Sequence, residues 1–308
     1  MPDSFRTGVR VNEKQYYARA HAKILDLIET LRGESLNREQ WHRLCNINPN
    51  DPKHIPYRDA VNRVLYELSQ VNEKKLIVKE GSRFKVLDNE LVPIDFRGKR
   101  GNRIDLLFPF GIHQYCFLYR KNIMVVYGSK DAGKTALLLN ITRLNMNKHR
   151  IFYFSSEMVE DELAVRLSKA DGMELDDWCF EPYERSYDFD AVIEPDEINI
   201  IDFLELGGDE AEYYKGVALI RRIYDRLNKG IAIIACQKNK DAELPKGGSG
   251  LLEKARLAVS LDPGTIKLTV AKNWADGIQH SPRGKSWSYQ LVGGINIVNP
   301  QESFGDEI

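Results

Sequence analysis

The chain is poor in cysteine: four residues in 308, Cys45, Cys116, Cys179 and Cys236, none of them in a CxxC pair. Their spacings of 71, 63 and 57 residues argue against a disulfide framework or a zinc knuckle and fit a reducing compartment. No run of about 18 apolar residues occurs, and the longest stretches, such as 230–236, are strand-sized, so no membrane partner is expected. The first residues, Met-Pro-Asp-Ser-Phe-Arg, lack an apolar signal core, which makes a cytoplasmic or nucleoid-associated protein the expectation. Six histidines show no HExxH spacing and no convincing Ser-His-Asp order, so metal hydrolysis and acyl transfer gain no support. Internal repeats are absent as well. What is present is an ordinary globular composition, 43% apolar and 29% charged, at a length that favours two domains.

The net charge of -1 hides an asymmetry. Residues 1–121 hold 22 Lys and Arg against 15 Asp and Glu, whereas residues 122–308 hold 22 against 30. A basic N-terminal third on an acidic body directs a polyanion to the N-terminal side first, unless the imbalance is only surface variation.

Apolar positions Ala20, Ile24, Leu25, Leu27, Ile28 and Leu31 recur at helical spacing across 12–33, with Gly33 as a stop signal. A short helix fits 37–45 with Trp41 and Leu44 inward, and Pro49, Pro52 and Pro56 then interrupt the chain. A third helix over 57–70 aligns Val61, Val64, Leu65 and Leu68. Segments 75–79 and 83–87 alternate as two strands around Glu80-Gly81-Ser82. Three helices followed by a hairpin resemble a winged helix, preceding the larger domain as a small α+β unit over 1–90. That resemblance offers Arg58, Asn62 and Arg63, with Tyr66, to a DNA major groove, and Lys79, Arg83 and Lys85 to phosphates. Many winged helices instead contact only proteins. A basic linker, 91–103, includes Arg97-Gly98-Lys99-Arg100-Gly101-Asn102-Arg103, a solvated spacer or a phosphate-contacting arm.

From 104 to 308, short apolar runs (122–127, 151–154, 198–203, 231–235, 266–271) alternate with helical patterns (134–147, 159–170, 211–228). Alternation of this kind predicts an α/β domain with a mainly parallel β-sheet flanked by helices. The sharpest signal is Gly128-Ser129-Lys130-Asp131-Ala132-Gly133-Lys134-Thr135, a complete GxxxxGK[ST] between an apolar strand and a helix opening at Ala136. Two glycines let backbone N–H groups turn toward phosphates, and the helix N-terminus adds the positive end of its dipole. Lys134 is expected to reach the β- and γ-phosphates of ATP, and Thr135 to ligate Mg²⁺. The second magnesium-side residue is expected at the end of an apolar strand, where Asp202 stands; Glu205 reads as a solvated strand-end carboxylate. Glu157, 23 residues after Lys134, ends the strand over 151–154. If that strand lies beside the phosphate-loop strand, the Glu157 carboxylate faces the γ-phosphate; otherwise it is a helix-capping partner.

The order GxxxxGKT, Ser-Ser-Glu-Met, Ile-Ile-Asp-Phe-Leu-Glu-Leu, Ile-Ala-Ile-Ile-Ala-Cys-Gln and Val-Ala-Lys-Asn resembles the RecA-like core of DnaB-type replicative helicases and their plasmid and phage relatives. The resemblance covers about 104–300. It implies a Mg²⁺-dependent ATPase acting on DNA, with Glu157 as catalytic base, Gln237 as γ-phosphate sensor, and a DNA-binding loop over 238–250 containing Lys238 and Lys240. On composition alone that loop is mobile, and Gln237 reads equally as a polar strand end. The resemblance also implies a homo-oligomer, a ring if it assembles as those relatives do, in which Lys272 completes the neighbouring site. Two departures stand out. Trp274 occupies the position of the family's second trans-acting cation, leaving Arg283 or Lys285 as substitutes, and a winged helix replaces the family's helical front domain. Arg166 matches a recurring family position but reads as well as a salt-bridged surface residue. Without a second cation, the alternative is an ATP-switched DNA-binding regulator or loader that does not unwind; a third reading makes the front domain a protein-docking module.

Overall fold

The structure, a computed structural model, describes residues 4–71, 75–88, 91, 93–94, 96–97, 103–205, 210–240 and 242–303. The chain divides into two compact units, Met1–Phe96 and Arg97–Ile308. Most of the basic linker motif, residues 98–102, lies outside the described residues.

In the smaller unit the elements run α1 (Ser4–Thr30), β1 (Ser35–Asn37), α2 (Arg38–Leu44), α3 (Ile55–Gln70), β2 (Ile77–Glu80) and β3 (Arg83–Val86). Asn37 caps α2 through a reciprocal pair, its Oδ1 accepting from the Gln40 N–H at 2.9 Å while Gln40 Oε1 accepts from the Asn37 N–H at 2.8 Å. Pro56 in the first turn of α3 sacrifices no helical hydrogen bond. Ala20, Ile24 and Ile28 of α1 meet Val61, Val64 and Leu65 of α3, with Trp41, Ile77, Phe84 and Val86 closing the core. Three details differ from the sequence reading. Helix α1 begins at Ser4, because no proline interrupts residues 4–12. Leu44, expected inward, is the last residue of α2 and is exposed. The sheet has three strands in the order β1-β3-β2, because Leu36 pairs with Phe84; a three-residue strand whose partner lies about 50 residues away leaves no local signal.

The larger unit contains β4 (Ile123–Gly128), α4 (Lys134–Asn145), β5 (Ile151–Ser155), α5 (Glu160–Leu167), β6 (Glu181–Glu184), β7 (Ile198–Leu204), α6 (Glu210–Arg226), β8 (Ile231–Gln237), β9 (Ala255–Asp262), β10 (Thr265–Ala271), β11 (Ser286–Val292) and β12 (Asn296–Ser303). They form one nine-stranded sheet, β12-β11-β10-β9-β4-β8-β7-β5-β6, parallel from β9 to β6 and antiparallel from β9 to β12. Period-two alternation sends Met124 and Val126 of β4 into one layer with Leu137, Leu138 and Ile141 of α4. Ile123 and Val125 face the other layer, with Ile220 and Ile223 of α6 and Leu227 just after it. Burial on both faces explains why these strands read as continuous apolar runs.

One expectation is overturned here. Strand β5, which leads to Glu157, does not lie beside β4; β8 and β7 intervene, and β5 pairs with β7 and β6. The crossover through α4 leaves room for two strands that arrive later in the chain, and their long-range pairing is invisible in local sequence.

Candidate functional site

The Gly128–Thr135 loop is built by close packing. Gly128 ends β4 where a Cβ would lie 3.0 Å from the Leu261 carbonyl oxygen of β9. Gly133 has φ +88° and a Cβ there would approach the Tyr289 hydroxyl to 3.2 Å. Tyr289 donates to the Ala132 carbonyl at 3.0 Å, so β11 pins the loop from outside the motif. Lys130 and Asp131 are exposed at the loop tip, Ser129 and Ala136 are buried, and α4 starts at Lys134.

Beside this loop lies a depression of ≈ 460 Å³ whose lining includes Lys134, Thr135, Glu157, Arg166 and Gln237. Lys134 Nζ folds back over the loop, donating to the Ser129 carbonyl at 3.0 Å and to the Gly128 carbonyl at 3.4 Å. Burial pulls the Lys134 pKa down, against the opposing pull of Asp202 and Glu157. Asp202 is 3% exposed near the end of β7. Its Oδ1 accepts from Thr135 Oγ1 at 3.2 Å and its Oδ2 from the Tyr153 hydroxyl at 2.6 Å. Burial raises the Asp202 pKa, opposed by those two hydrogen bonds and by Lys134.

Although β5 stands two strands further from β4 than expected, Glu157 still reaches the depression. Ser156 steps across the end of β7, its N–H donating to the Asp202 carbonyl at 2.9 Å and its Oγ to the Phe203 carbonyl at 3.1 Å. Burial lifts the Glu157 pKa, helped by the Asp202 and Glu205 carboxylates and opposed by Lys134 and Arg166. A carboxyl lifted in this way is a stronger proton acceptor than a solvated glutamate. Gln237, in register with Gly128, accepts at Oε1 from Lys246 Nζ at 3.1 Å.

The Thr135 hydroxyl and the Asp202 carboxylate are hard oxygen donors, which suits Mg²⁺. Among the described residues no cluster of three or more His, Cys, Asp or Glu forms an all-protein metal site, so phosphates and water would complete the shell.

Other expected residues are placed elsewhere. Lys238, expected in a DNA-contacting loop, is only 4% exposed and is ion-paired with Asp262 at 2.6 Å. It follows β8 directly and its N–H donates to the Gly128 carbonyl, which turns the side chain inward. The loop itself is anchored rather than free: the Lys246 N–H donates to the Gln237 carbonyl at 2.7 Å, Tyr127 donates to the Glu243 carbonyl at 3.0 Å, and Leu251 is buried. Composition registers the glycines of this loop and misses its hydrogen bonds; Asp241 lies outside the described residues. Lys240 is exposed. Asp262→Ala is expected to destabilise the larger unit by about 2 kcal/mol, below the cost of breaking a fully buried pair because Asp262 is partly exposed; thermal unfolding reads this out.

Lys272 is exposed and lines a separate depression of ≈ 1010 Å³, together with Lys267 and Arg283. Lys285 is committed to Glu302 and lies over the Tyr115 ring at 4.4 Å, so it is not a spare cation. The Trp274 indole donates to the Ala271 carbonyl at 2.9 Å. Arg166, read also as a salt-bridged surface residue, is half-buried and makes no ion pair among the described residues.

In the smaller unit, Arg58 pairs with Asp59 at 3.5 Å. Asn62 accepts from His42 Nε2 at 3.0 Å. Arg63 pairs with Glu67 at 2.8 Å and covers the Tyr17 ring, while Tyr17 donates to Glu67 at 2.5 Å. All three of these side chains are therefore partnered within the smaller unit. Arg83 donates to Ser35. The register sets Lys79 opposite Phe84 and Lys85 opposite Val78, so Lys79 falls on the opposite pleat face from Arg83 and Lys85. The three cations therefore do not form one row.

Three residues that matter were not found by sequence reading: Tyr153, Asp262 and Tyr289. Each contributes its polar atoms from within or at the end of an apolar strand, and only the sheet order shows what they meet.

The larger unit thus has the expected α/β fold, a mainly parallel sheet flanked by helices, with the Gly128–Thr135 loop at the carboxyl end of β4. No family model matches the chain, and no curated protein matches it. Among solved structures it is similar to one described as an ATPase domain, with a TM-score of 0.44 and 16% identity over 59% of this chain and 86% of that one. It is also similar to a DnaB-like replicative helicase described with its interactions with primase, with a TM-score of 0.41 and 15% identity over 59% of this chain. The chain spans 58% of the length of that helicase chain. No helix among the described residues is long and apolar enough to cross a membrane.

Proposed function

We propose that the chain is a Mg²⁺-dependent ATP hydrolase that acts on DNA. The observation that carries the reading is convergence: Lys134, Thr135 and Glu157 line one depression beside a complete GxxxxGK[ST] loop, and Asp202 is buried behind them with its Oδ1 on the Thr135 hydroxyl. The loop N–H groups and the α4 N-terminus receive phosphate oxygens. Lys134 exchanges its Gly128 and Ser129 carbonyl acceptors for the β- and γ-phosphates. Glu157 orients a water and accepts its proton as that water attacks the γ-phosphorus and the bond to the ADP oxygen breaks. Bound Mg²⁺, held by Thr135 and through water by Asp202, would neutralise developing charge on the phosphates. Gln237 lines the same depression, and its bond to Lys246 ties it to the 238–250 loop, which supports a sensing role.

The DNA part rests on the basic N-terminal third, on the three-helix and hairpin order that resembles a winged helix, and on the five motifs shared in order with DnaB-type helicases. In an oligomer Lys272 would serve the neighbouring site.

One observation favours a second reading, an ATP-governed DNA-binding regulator or loader without unwinding. Trp274 stands where a second trans-acting cation is expected, and Lys285 is already paired. Such a cation is worth on the order of 10³–10⁵ in rate.

The test is steady-state ATP hydrolysis with and without single-stranded and duplex DNA, with Lys134→Ala as the blank. Stimulation by single strands supports a motor. A slow rate indifferent to DNA supports the switch, and no hydrolysis above the blank overturns the enzymatic reading. For the smaller unit, Arg83→Ala with Lys85→Ala in the full chain is expected to weaken DNA binding and to lower the slope of log affinity against log salt by about 2. An unchanged slope would favour a protein-docking role.

A further inference from the structure

Asp202 receives one hydrogen bond on each carboxylate oxygen, and the two donors differ in kind. Thr135, on Oδ1, belongs to the phosphate loop and is itself a candidate metal ligand, so its hydroxyl is drawn elsewhere once nucleotide arrives. Tyr153, on Oδ2 at 2.6 Å, has no such second task. Its ring is 0% exposed and stands edge-on to Phe180 at 5.7 Å and 71°, and Phe180 stands edge-on to Trp178 at 5.9 Å and 69°. The β5–β7 register pairs Ser155 with Asp202 and Tyr153 with Ile200, so Tyr153 and Asp202 share one face of the sheet on neighbouring strands. The hydroxyl therefore reaches the carboxylate along the strand direction from a side chain that packing holds still.

We propose that Tyr153 is a positioning residue for Asp202: its hydroxyl holds Oδ2, so that Oδ1 stays turned toward Thr135 and the cation that the two would share. An apolar residue at 153 would leave Oδ2 buried without a donor, and the carboxylate would rotate or gain a proton to satisfy itself. The function is orientation through a second residue rather than contact with nucleotide, as is usual for groups behind metal-binding side chains. This role rests on the reading that the site takes Mg²⁺ with nucleotide.

The experiment uses the full chain and a fluorescent methylanthraniloyl-ADP, with binding measured in EDTA and across a MgCl₂ titration. Tyr153→Phe keeps the ring and removes only the hydroxyl. The expected result is a Mg²⁺ midpoint raised about tenfold, with affinity in EDTA unchanged within about twofold, which a general loss of structure would not produce. Tyr57→Phe, which removes the hydroxyl of a buried tyrosine in the smaller unit, is the control and is expected to leave the midpoint in place. In an Asp202→Asn background, Tyr153→Phe is expected to shift nothing further, because the pair acts as one unit. An unshifted midpoint in Tyr153→Phe overturns the proposal, and so does an equal shift in the Asp202→Asn background. A wild-type chain whose nucleotide affinity ignores Mg²⁺ overturns the functional reading as well, which separates that failure from the others.

Discussion

Lys134→Ala is expected to lower ATP turnover by about 10³-fold, into the background of the assay, while the chain keeps its fold. The two halves of that expectation have separate causes. Catalytic loss follows because no other side chain with a positive charge rises from the floor of the phosphate loop; Lys130 is exposed at its tip, and Arg166 approaches from α5. Retention of the fold follows from what Lys134 does without nucleotide. Its ammonium is partly buried, it donates to the Gly128 and Ser129 carbonyls and lies over the Phe203 ring, and burial pulls its pKa down against the opposing pull of Asp202 and Glu157. A cation in that state strains the free protein. Removing it should leave the melting temperature unchanged or raise it slightly, whereas ATP is expected to raise the melting temperature of the wild type and to lose most of that effect in the variant. Differential scanning fluorimetry with and without ATP, beside a phosphate-release assay, measures both. A variant that hydrolyses ATP at the wild-type rate would move the active site elsewhere.

Glu157→Gln is expected to reduce hydrolysis by about 10²–10⁴-fold while holding ATP at least as tightly as the wild type. Three ionisable groups decide this. Glu157 and Asp202 raise one another's cost of ionising, as burial and mutual repulsion lift the Glu157 pKa, and Lys134 only partly offsets them. An incoming polyphosphate meets that negative charge, so an amide at 157 removes repulsion along with the proton acceptor. The same shift fixes the direction of the pH dependence. Because the folded-state pKa of Glu157 lies above the ordinary glutamate value, its basic form is lost at a higher pH as acid is added. The acid limb of kcat/KM is therefore expected above the ordinary carboxylate range of about 4.3, and to disappear in the Gln variant. Rapid filtration of bound ATP and a pH profile of both proteins check this. Undiminished turnover in Glu157→Gln would leave Glu157 as a strand-end carboxylate and nothing more.

Lys134 falls in a motif that the sequence marks unaided, whereas Glu157 taken alone reads equally as a helix-capping partner, and the reason is physical. A phosphate loop is a local device. Two glycines, a lysine, a hydroxyl and a helix start must follow one another within eight residues, so spacing alone exposes it. The amphipathic stripes of α3 and α6, the Asn37–Gln40 capping box and the turn between β2 and β3 are local in the same sense. Asp202 was singled out in the sequence by its place at the end of an apolar strand, where a magnesium-side carboxylate is expected.

What it is satisfied by was not legible. Tyr153 and Asp202 lie 49 residues apart, Lys238 and Asp262 24 apart, and Tyr289 and Ala132 157 apart. Each contact depends on the order of strands in the sheet: β5 and β7 are neighbours, β8 and β9 flank β4, and β11 stands three strands from β4. The same holds for the place of β5 and for the inward turn of Lys238, both expected otherwise. The GxxxxGKT motif, the helices and the apolar strands are written in the residue order, since each depends on residues that are near in the chain. The order of the strands is not, and with it go the questions of which carboxylate is held, which lysine is neutralised and which cations remain exposed. Those answers come from packing between segments that local sequence does not connect.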